Sequence, residues 1–356
     1  MTSIQQAIEV HRLAVAGQQL DIASDVGARL AHVWLRTSRF ADVETLATST
    51  LSLGTDARAL FSRGRARLVT GQPRQALDDF EKALALDQLA GDKANEAATL
   101  NSIGTVYSAL GDQQQALTYF ERVLPLAREA GGRVSEAAIL NNIGHVHDAL
   151  GDQEQALAYY QQALPITREV GNRAGEATTL NNIGHAHDAL GDQEQALTYY
   201  QQALPITREV GNRAGEATTL NNIGQVHDVL GDYEQALAYH QQALPIRREV
   251  GDRAGEATTL NNIGTVYEGL GDRRQALTFY RQALPIRRGT GDRVGEATAR
   301  YNIATVHLAQ GELDQAISEL EQVVDLDRQV SHPDLAKDTA LLEKLRQRQA
   351  EARKMS

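Results

Sequence analysis

The sequence repeats itself every forty residues, and this period constrains the fold more than any other feature. The segment 171–210 is followed by a copy, 211–250, that differs from it at only seven positions. A period of this length is typical of stacked-repeat architectures, in which each unit packs only against its neighbours. Glycines recur at two points of the frame, so that six units fill 91–330. The units are 91–130, 131–170, 171–210, 211–250, 251–290 and 291–330.

Each unit is expected to contain two helices joined by very short turns. In 171–210, Asn172 is expected to cap a first helix that runs to about Leu190, and Gly191 suits the left-handed position after it. Asp192 is then a good N-cap for a second helix, with Gln195 three residues later completing a capping box. Connections this short force the two helices of a pair to be antiparallel.

The segments that flank the six units predict related but less regular helices. Residues 1–16 predict a single N-terminal helix, 17–90 predict two divergent helix pairs, and 331–356 predict a capping helix with a tail. The unpaired first helix indicates either a chain cut from a longer one or an atypical cap. The basic end of the last helix is interpreted as a solvated face or as an interaction tail. The predicted fold class is therefore all-α, with about eight antiparallel helix pairs and one extra helix at each end.

Composition and charge exclude several classes of function. The net charge of −11 argues against general binding to nucleic acid or to an anionic membrane. No apolar run approaches the roughly 20 residues that span a bilayer, and the N-terminus lacks the pattern of a secretory signal. The absence of cysteine excludes disulfides and thiolate chemistry. We therefore expect a cytoplasmic protein that needs no cofactor.

The spacing of small and large residues in each unit resembles the tetratricopeptide repeat (TPR) family. In 171–210 the resemblance rests on Leu180, Ile183, Gly184, His187, Gly191, Asp192, Ala196, Tyr200 and Ala203. The match covers about 17–330. The usual unit of the family has 34 residues, and the longer unit resembles the subclass found in kinesin light chains, Pins-type scaffolds and the sensor arms of bacterial signal-transduction NTPases. The resemblance implies a TPR-type right-handed superhelical solenoid; because no phosphate-binding loop is present, the likeness to the NTPases is an analogy.

Polar side chains share one face of the first helix in every unit, which we call the first-helix face. In 171–210 it is formed by Thr178, Asn181, Asn182, His185 and Asp188. In the family that the chain resembles, this face lines a concave groove. A carboxamide can pair with a peptide amide whatever its side chain, because it offers both donors and an acceptor. The candidate ligand-binding residues are Asn101, Asn141, Asn142, Asn181, Asn182, Asn221, Asn222, Asn261, Asn262, Asn302, His145, His185, Gln225, Asp148, Asp188, Asp228 and Glu268.

The candidate residues recur every forty residues and so form columns of asparagines and of acidic residues along the repeats. Each column also has a structural interpretation. The asparagines can cap helices or bridge neighbouring repeats, and tandem duplication copies a residue without selecting it. An acidic column favours a basic or amide-rich ligand but is equally consistent with a solvated face. This column consists of Asp148, Asp188, Asp228 and Glu268. A metal site is not expected, because His185 and His187 point in nearly opposite directions on one helix. His187 instead occupies a packing position that other units fill with Tyr107 and Tyr267.

The sequence offers no catalytic motif, since it has no nucleophile elbow, glycine-rich phosphate loop or HExxH pattern. We therefore predict a protein that is not an enzyme: a non-catalytic interaction scaffold that binds an extended peptide or partner segment, without nucleic acid, membrane or metal. Two alternatives stay open. One is a ligand-sensing arm of a larger bacterial regulatory NTPase or effector, and the other is a self-assembling structural solenoid.

Overall fold

The computed structural model describes residues 3–355, except for the side chains of 352–355. Within this span the chain forms eighteen α-helices and no strand. The predictions for Met1, Thr2 and Ser356, and for the side chains of Arg353 and Lys354, lie outside the described residues. The helices are α1 (Ser3–Ala16), α2 (Leu20–Arg36), α3 (Phe40–Leu51), α4 (Ala57–Val69), α5 (Pro73–Ala90), α6 (Lys93–Ala109), α7 (Gln113–Glu129), α8 (Arg133–Ala149), α9 (Gln153–Glu169), α10 (Arg173–Ala189), α11 (Gln193–Glu209), α12 (Arg213–Val229), α13 (Tyr233–Glu249), α14 (Arg253–Gly269), α15 (Arg273–Thr290), α16 (Arg293–Ala309), α17 (Leu313–Val330) and α18 (Leu335–Met355).

The all-α class and the helix pairs agree with the sequence prediction. The turn between α10 and α11 has Gly191 at a φ of +81°, in the left-handed region that glycine adopts without strain. Its backbone N–H donates to the carbonyl of Asp188 at 2.9 Å, and the N–H of Asp192 donates to that of His187 at 2.8 Å. These bonds use carbonyls that the end of a helix would otherwise leave unpaired, so the chain can turn sharply into the next helix.

The predicted caps are only partly confirmed. Asn172 caps α10, because its Oδ1 accepts a hydrogen bond from the N–H of Gly175 at 3.0 Å. Asp192 precedes α11 as predicted, but its side chain makes no capping hydrogen bond to the helix. The capping box is therefore wrong here. Oδ2 of Asp192 lies 3.2 Å from Nδ1 of His187. The imidazole therefore competes with the N–H groups at the start of α11 for the Asp192 carboxylate.

The chain divides into two compact units, the first ending at Gly175 and the second beginning at Glu176. The division falls in the first turn of α10, a few residues after the predicted repeat boundary at 171. Within each unit consecutive helices pack on one another, and first helices also contact the first helix of the next pair, as α4 contacts α6 and α12 contacts α14. Each repeat is thus held by its neighbours in sequence.

The core of the second unit shows how a repeat is built. Ala217 and Leu220 of α12 pack against Ala243 and Ile246 of α13 within one pair. The other side of α12 packs against Ala196 and Tyr200 of the preceding helix α11 through Ile223 and Val226. These apolar contacts fix the rotation of α12 about its axis, so that the first-helix face turns away from the core.

The terminal helices close the two units. In the first unit, Nε2 of His11 on α1 lies 2.9 Å from Oγ1 of Thr50 on α3. In the second unit, α18 packs on α17 through a cluster that includes Leu320, Val324 and Leu342. Among the described residues, no helix combines the length and the apolar character that crossing a membrane requires.

Candidate functional site

A polar cavity of about 310 Å³ lies in the second unit, among helices α10 to α14. Its lining contains five of the residues that the sequence singles out, namely His185, Asp188, Asn221, Asn222 and Gln225. It also contains Tyr200, Arg247, Gly255 and Thr258. This size is at the lower end of the range for small-ligand sites, which begins at about 300 Å³. We call it the first-helix cavity.

The repeat brings these side chains together through helix periodicity. Asn221, Asn222 and Gln225 are spaced so that they share one face of α12, and Leu220 and Ile223, on other sides of the helix, are buried in the core. Helix α10 contributes His185, the equivalent of Gln225 one repeat earlier, and Asp188. Gln225 and its equivalent on α10 are exposed, whereas Asn222 is half-buried. The cavity is therefore open to solvent on the side where Gln225 lies.

Arg247 is a member of the cavity that sequence reasoning missed. One terminal nitrogen lies 2.6 Å from Oδ2 of Asp252, and the other donates to Oγ1 of Thr218 at 2.9 Å. Its Nε is buried and has no hydrogen-bond partner among the described residues. The signal for it was available, since Arg247 replaces Thr207 among the seven differences between two nearly identical units.

The asparagine columns largely bond to each other from one repeat to the next. Nδ2 of Asn262 donates to Oδ1 of Asn221 at 3.3 Å, and Nδ2 of Asn302 donates to Oδ1 of Asn261 at 3.1 Å. In the first unit, Asn142 makes the same bond to Asn101 at 3.1 Å. These bonds correspond to the bridging role that the sequence left open. They use the acceptor oxygen of the earlier asparagine in each pair.

The other asparagines differ in their hydrogen bonds, in their exposure and in whether they line the cavity. Nδ2 of Asn141 donates to the carbonyl of Ala137 in its own helix at 3.0 Å. Asn221 is only 7% exposed, whereas Asn181 and Asn182 are half-buried on α10, outside the cavity lining. The columns therefore do not act as one uniform surface. Of the asparagines in these columns, only Asn221 and Asn222 line the first-helix cavity.

The acidic column is half-buried rather than fully solvated. Asp148, Asp188, Asp228 and Glu268 are all half-buried, and burial raises the pKa of Asp228 above its ordinary value. The hydroxyl of Tyr280 donates to Oε2 of Glu268 at 3.0 Å. The structure brings only Asp188 into the first-helix cavity, so this one carboxylate sets the charge of the site together with the Arg247–Asp252 pair.

The histidines separate into two groups with different surroundings. His145 and His185 are exposed on the first-helix face, and His185 lines the cavity. His187 stacks on Tyr199 with ring centroids 5.4 Å apart, which confirms its predicted packing role. In the first unit, Tyr107 stacks on Tyr119 in the same way. Among the described residues, no group of three or more histidines and carboxylates is placed to hold a metal ion.

Comparison with known protein families identifies the repeat. A tetratricopeptide repeat model matches residues 55–129, 135–209 and 215–289, and a second model of the same repeat matches 297–330. Together they cover more than half of the chain. A comparison with curated proteins found no significant match.

Several solved structures have a similar fold at low sequence identity. A Signal Transduction ATPase with Numerous Domains (STAND) protein with a tetratricopeptide repeat sensor, from Pyrococcus horikoshii, is 16% identical over 96% of this chain and 54% of its own, with a TM-score of 0.68. A Rap protein complexed with Competence and Sporulation Factor is 15% identical, over 92% and 98%, with a TM-score of 0.63. BtubC from P. vanneervenii is 23% identical, over 62% and 90%, with a TM-score of 0.52. Likeness at this level of identity establishes the fold.

Proposed function

The chain belongs to the tetratricopeptide repeat family, and from this membership we propose that it is a non-catalytic scaffold that binds an extended segment of a partner protein along its first-helix face. The observation that carries this proposal is the first-helix cavity, where five side chains chosen from the sequence line one space of about 310 Å³. Such a mixture of donors and acceptors fits a peptide main chain, which presents both at every residue.

The charges of the cavity favour a basic or amide-rich segment. The guanidinium of Arg247 is neutralised by Asp252 at 2.6 Å, so the carboxylate of Asp188 gives the lining a negative charge. Electrostatic complementarity then favours a positively charged partner and steers its approach. The carboxamides of Asn222 and Gln225 supply the uncharged contacts.

Two structures of similar fold support a peptide-like or protein partner. The Rap protein is complexed with Competence and Sporulation Factor, and the quorum sensor NprR from B. thuringiensis also has a similar fold. Both have a fold that matches nearly all of this chain. By analogy, the repeats of this protein would present a surface to a ligand rather than perform chemistry.

Site-specific photocrosslinking tests where the partner binds. A photoreactive benzoylphenylalanine replaces exposed Gln225 in the cavity, and the matched control replaces Gln242, which is exposed on the second helix α13. We expect crosslinked peptides of one partner from the Gln225 position only, identified by mass spectrometry. Equal crosslinking from both positions would contradict binding at the first-helix face.

The affinity for the crosslinked peptide then measures what the cavity contributes. Asn222→Ala is expected to weaken binding about tenfold, which corresponds to the loss of about one hydrogen bond between uncharged groups. Gln242→Ala is expected to leave the affinity unchanged. Isothermal titration calorimetry supplies the affinities. Asn221 is not a suitable test residue because Asn262 bonds to it, so its replacement also disturbs packing between repeats. If Asn222→Ala binds with wild-type affinity, the proposal that the partner binds at the first-helix cavity is wrong.

The sensor arm of a larger regulatory protein is the second candidate function. The specific observation in its favour is the match of 96% of this chain to 54% of the STAND protein that carries a tetratricopeptide repeat sensor. In that case ligand binding in the repeats would shift an attached or associated nucleotide-hydrolysing domain between two states. The coding sequence around this chain, read for a neighbouring or fused NTPase, decides between this role and an independent scaffold.

A further inference from the structure

A second cavity, of about 170 Å³, lies in the first unit and is lined by helices α2, α4, α5 and α6. Most of the surface that lines it is apolar, and Leu35 and Phe61 supply the largest apolar side chains. The cavity shares no residue with the first-helix cavity. What it binds is therefore independent of the function proposed above, and the two can fail separately.

The cavity occupies the same place in the repeat frame as the first-helix cavity but has different side chains. Three of its residues stand four forty-residue periods before three residues of the first-helix cavity: Ser62 before Asn222, Arg65 before Gln225, and Asp87 before Arg247. A hydroxyl and a guanidinium thus replace two carboxamides, and a carboxylate replaces an arginine. The divergent pairs therefore keep a cavity at this place and give it a chemistry of its own.

Two buried polar side chains in the lining have unused hydrogen-bonding capacity. Ser62 is 9% exposed, and its hydroxyl makes no hydrogen bond among the described residues. Asp87 is 4% exposed; its Oδ2 accepts a hydrogen bond from the hydroxyl of Thr99 at 3.0 Å, whereas its Oδ1 accepts none from residues 3–351. Neither Oγ of Ser62 nor Oδ1 of Asp87 is sealed from solvent by the packing. A ligand in the cavity can therefore reach both atoms.

The charged side chains of the lining do not neutralise one another. Within the described part of the chain, no basic side chain forms an ion pair with Asp87, and Arg65 forms no ion pair at all. Burial raises the pKa of Asp87 above its ordinary value, against the opposing effect of the Thr99 hydrogen bond, because water no longer solvates the ionised form fully. The cavity thus offers a ligand one carboxylate and one guanidinium that lack a counter-charge.

We propose that this cavity binds a small zwitterion of the amino-acid type, with its ammonium group at Asp87 and its carboxylate at Arg65. The ammonium group donates hydrogen bonds to a carboxylate oxygen, and a guanidinium presents a fork of donors to a carboxylate. The hydroxyl of Ser62 supplies a further hydrogen bond between these two ends. An apolar side chain of the ligand would lie against Phe61 and Leu35.

The volume and the remaining charge of the lining define the ligand further. A cavity of about 150 Å³ is large enough to bind benzene, so this one admits a single aromatic or branched aliphatic side chain. Arg58 also lines the cavity; it is exposed and lies 3.7 Å from Asp25. Because a second guanidinium also attracts simple anions, the test has to compare the zwitterion with an anion of the same shape.

Isothermal titration calorimetry of the full chain with L-phenylalanine at about pH 8 tests the proposal. We expect saturable binding that is at least tenfold weaker in Asp87→Thr and in Arg65→Gln, since each variant removes a hydrogen bond to a charged group. Other repeats carry threonine and glutamine at these two places, as Thr207 and Gln225 show. Both variants should therefore fold, which circular dichroism checks.

Matched controls separate the cavity from the net charge of the protein and from simple ion binding. Asp78→Thr and Arg74→Gln remove the same charges from the exposed side of α5 and should bind L-phenylalanine as the wild type does. Two compounds of the same shape each lack one charge: 3-phenylpropionate has no ammonium group, and 2-phenylethylamine has no carboxylate. Each is expected to bind at least tenfold more weakly than L-phenylalanine.

Glycyl-L-phenylalanine distinguishes the two sources of such a zwitterion. Tighter binding of this dipeptide than of L-phenylalanine would indicate a short peptide with free ends, and weaker binding would indicate a free amino acid; both results support the site. No saturable binding of either compound, or equal binding of 3-phenylpropionate, would overturn the proposal. So would unchanged affinity in Arg65→Gln, whose exposed position keeps this test valid even if Asp87→Thr fails to fold.

Discussion

At the scale of single residues, His240 departs most clearly from its equivalents in the other repeats. The same position holds Phe120, Tyr160, Tyr200 and Tyr280, whereas His240 is completely buried with neither ring nitrogen hydrogen-bonded among the described residues. An imidazole fills the space of an aromatic ring, but its two polar nitrogens lose their contacts with water. Burial lowers the pKa of His240 to about 4.

This burial makes folding stability depend on pH. The unfolded chain protonates the imidazole below its ordinary pKa of 6.5, whereas the folded chain keeps it neutral down to about 4. The contribution of His240 to stability is therefore present above pH 6.5 and is lost as the pH falls towards 4, by up to about 3 kcal/mol at 1.36 kcal/mol for each pKa unit.

His240→Phe is expected to remove this loss. Phe120 shows that a phenylalanine fits the equivalent position in another repeat. We expect about 1–3 kcal/mol of added stability at neutral pH, since two unsatisfied buried polar atoms are removed, and a flatter dependence on pH between 6.5 and 4. Urea unfolding at several pH values measures both. Tyr160→His is the reverse change, and if it fails to introduce the same pH dependence, the burial argument is wrong.

Gly184 is required by the ring that lies over it. A Cβ at this position would be 2.7 Å from Cε1 of Tyr200, a buried ring that cannot move aside. Gly184→Ala is therefore expected to destabilise the fold by about 1–3 kcal/mol through overpacking, although alanine favours helix. Gly289→Ala is the control, because open space surrounds that glycine, and it should gain about 0.5–1 kcal/mol. Thermal unfolding should separate the two variants in opposite directions.

At the scale of helices, the asparagine bridges connect one first helix to the next. Asn302 on α16 donates to Asn261 on α14 at 3.1 Å, so a side chain that the sequence places on a binding face also holds two repeats together. The two roles are not exclusive, because a carboxamide has a second donor and a second acceptor lone pair. The bridge does reduce what each asparagine can offer to a ligand.

A double-mutant cycle measures this bridge. Asn261→Ala, Asn302→Ala and the double variant are expected to give a coupling energy of about 0.5–1.5 kcal/mol, the usual net value of one hydrogen bond. Denaturant unfolding supplies the free energies. Asn182→Ala combined with Asn302→Ala pairs residues from non-adjacent repeats and should be additive. A coupling of zero between Asn261 and Asn302 would mean that the bridge does not contribute in solution.

At the scale of the whole molecule, a repeat protein is expected to unfold in stages rather than all at once. Each repeat contacts only its neighbours, so cooperativity falls with distance along the chain. The chain contains a single tryptophan, Trp34, which is 5% exposed in α2 of the first unit. Its fluorescence therefore reports the N-terminal pairs alone.

We expect the fluorescence transition of Trp34 to occur at a lower guanidinium concentration than the loss of helical circular dichroism. The pairs near an end have a stabilising neighbour on fewer sides than the central repeats. Coincident transitions by the two probes would show a single cooperative unit and contradict this prediction. Self-association also stays a prediction, and light scattering during size exclusion across a range of protein concentrations tests it.

What the sequence determined by itself is local. The forty-residue period, the helix pairs and the polarity of each helix face follow from spacing along one chain segment, and Leu180, Ile183 and Gly184 are buried as their positions indicate. The fold class could be predicted for the same reason. Helix periodicity and glycine turns depend on contacts between residues close in sequence.

The tertiary structure decided how those faces are used. Which asparagine bonds to which, whether Arg247 reaches the first-helix cavity, and whether Asp327 faces Asp338 all depend on side chains from different helices. Their separation is set by how the apolar sides of the helices pack, and a few ångströms decide whether two groups bond. Two carboxylates eleven residues apart on separate helices give no signal in sequence, yet packing buries them together, and only there does the charge of one change the pKa of the other.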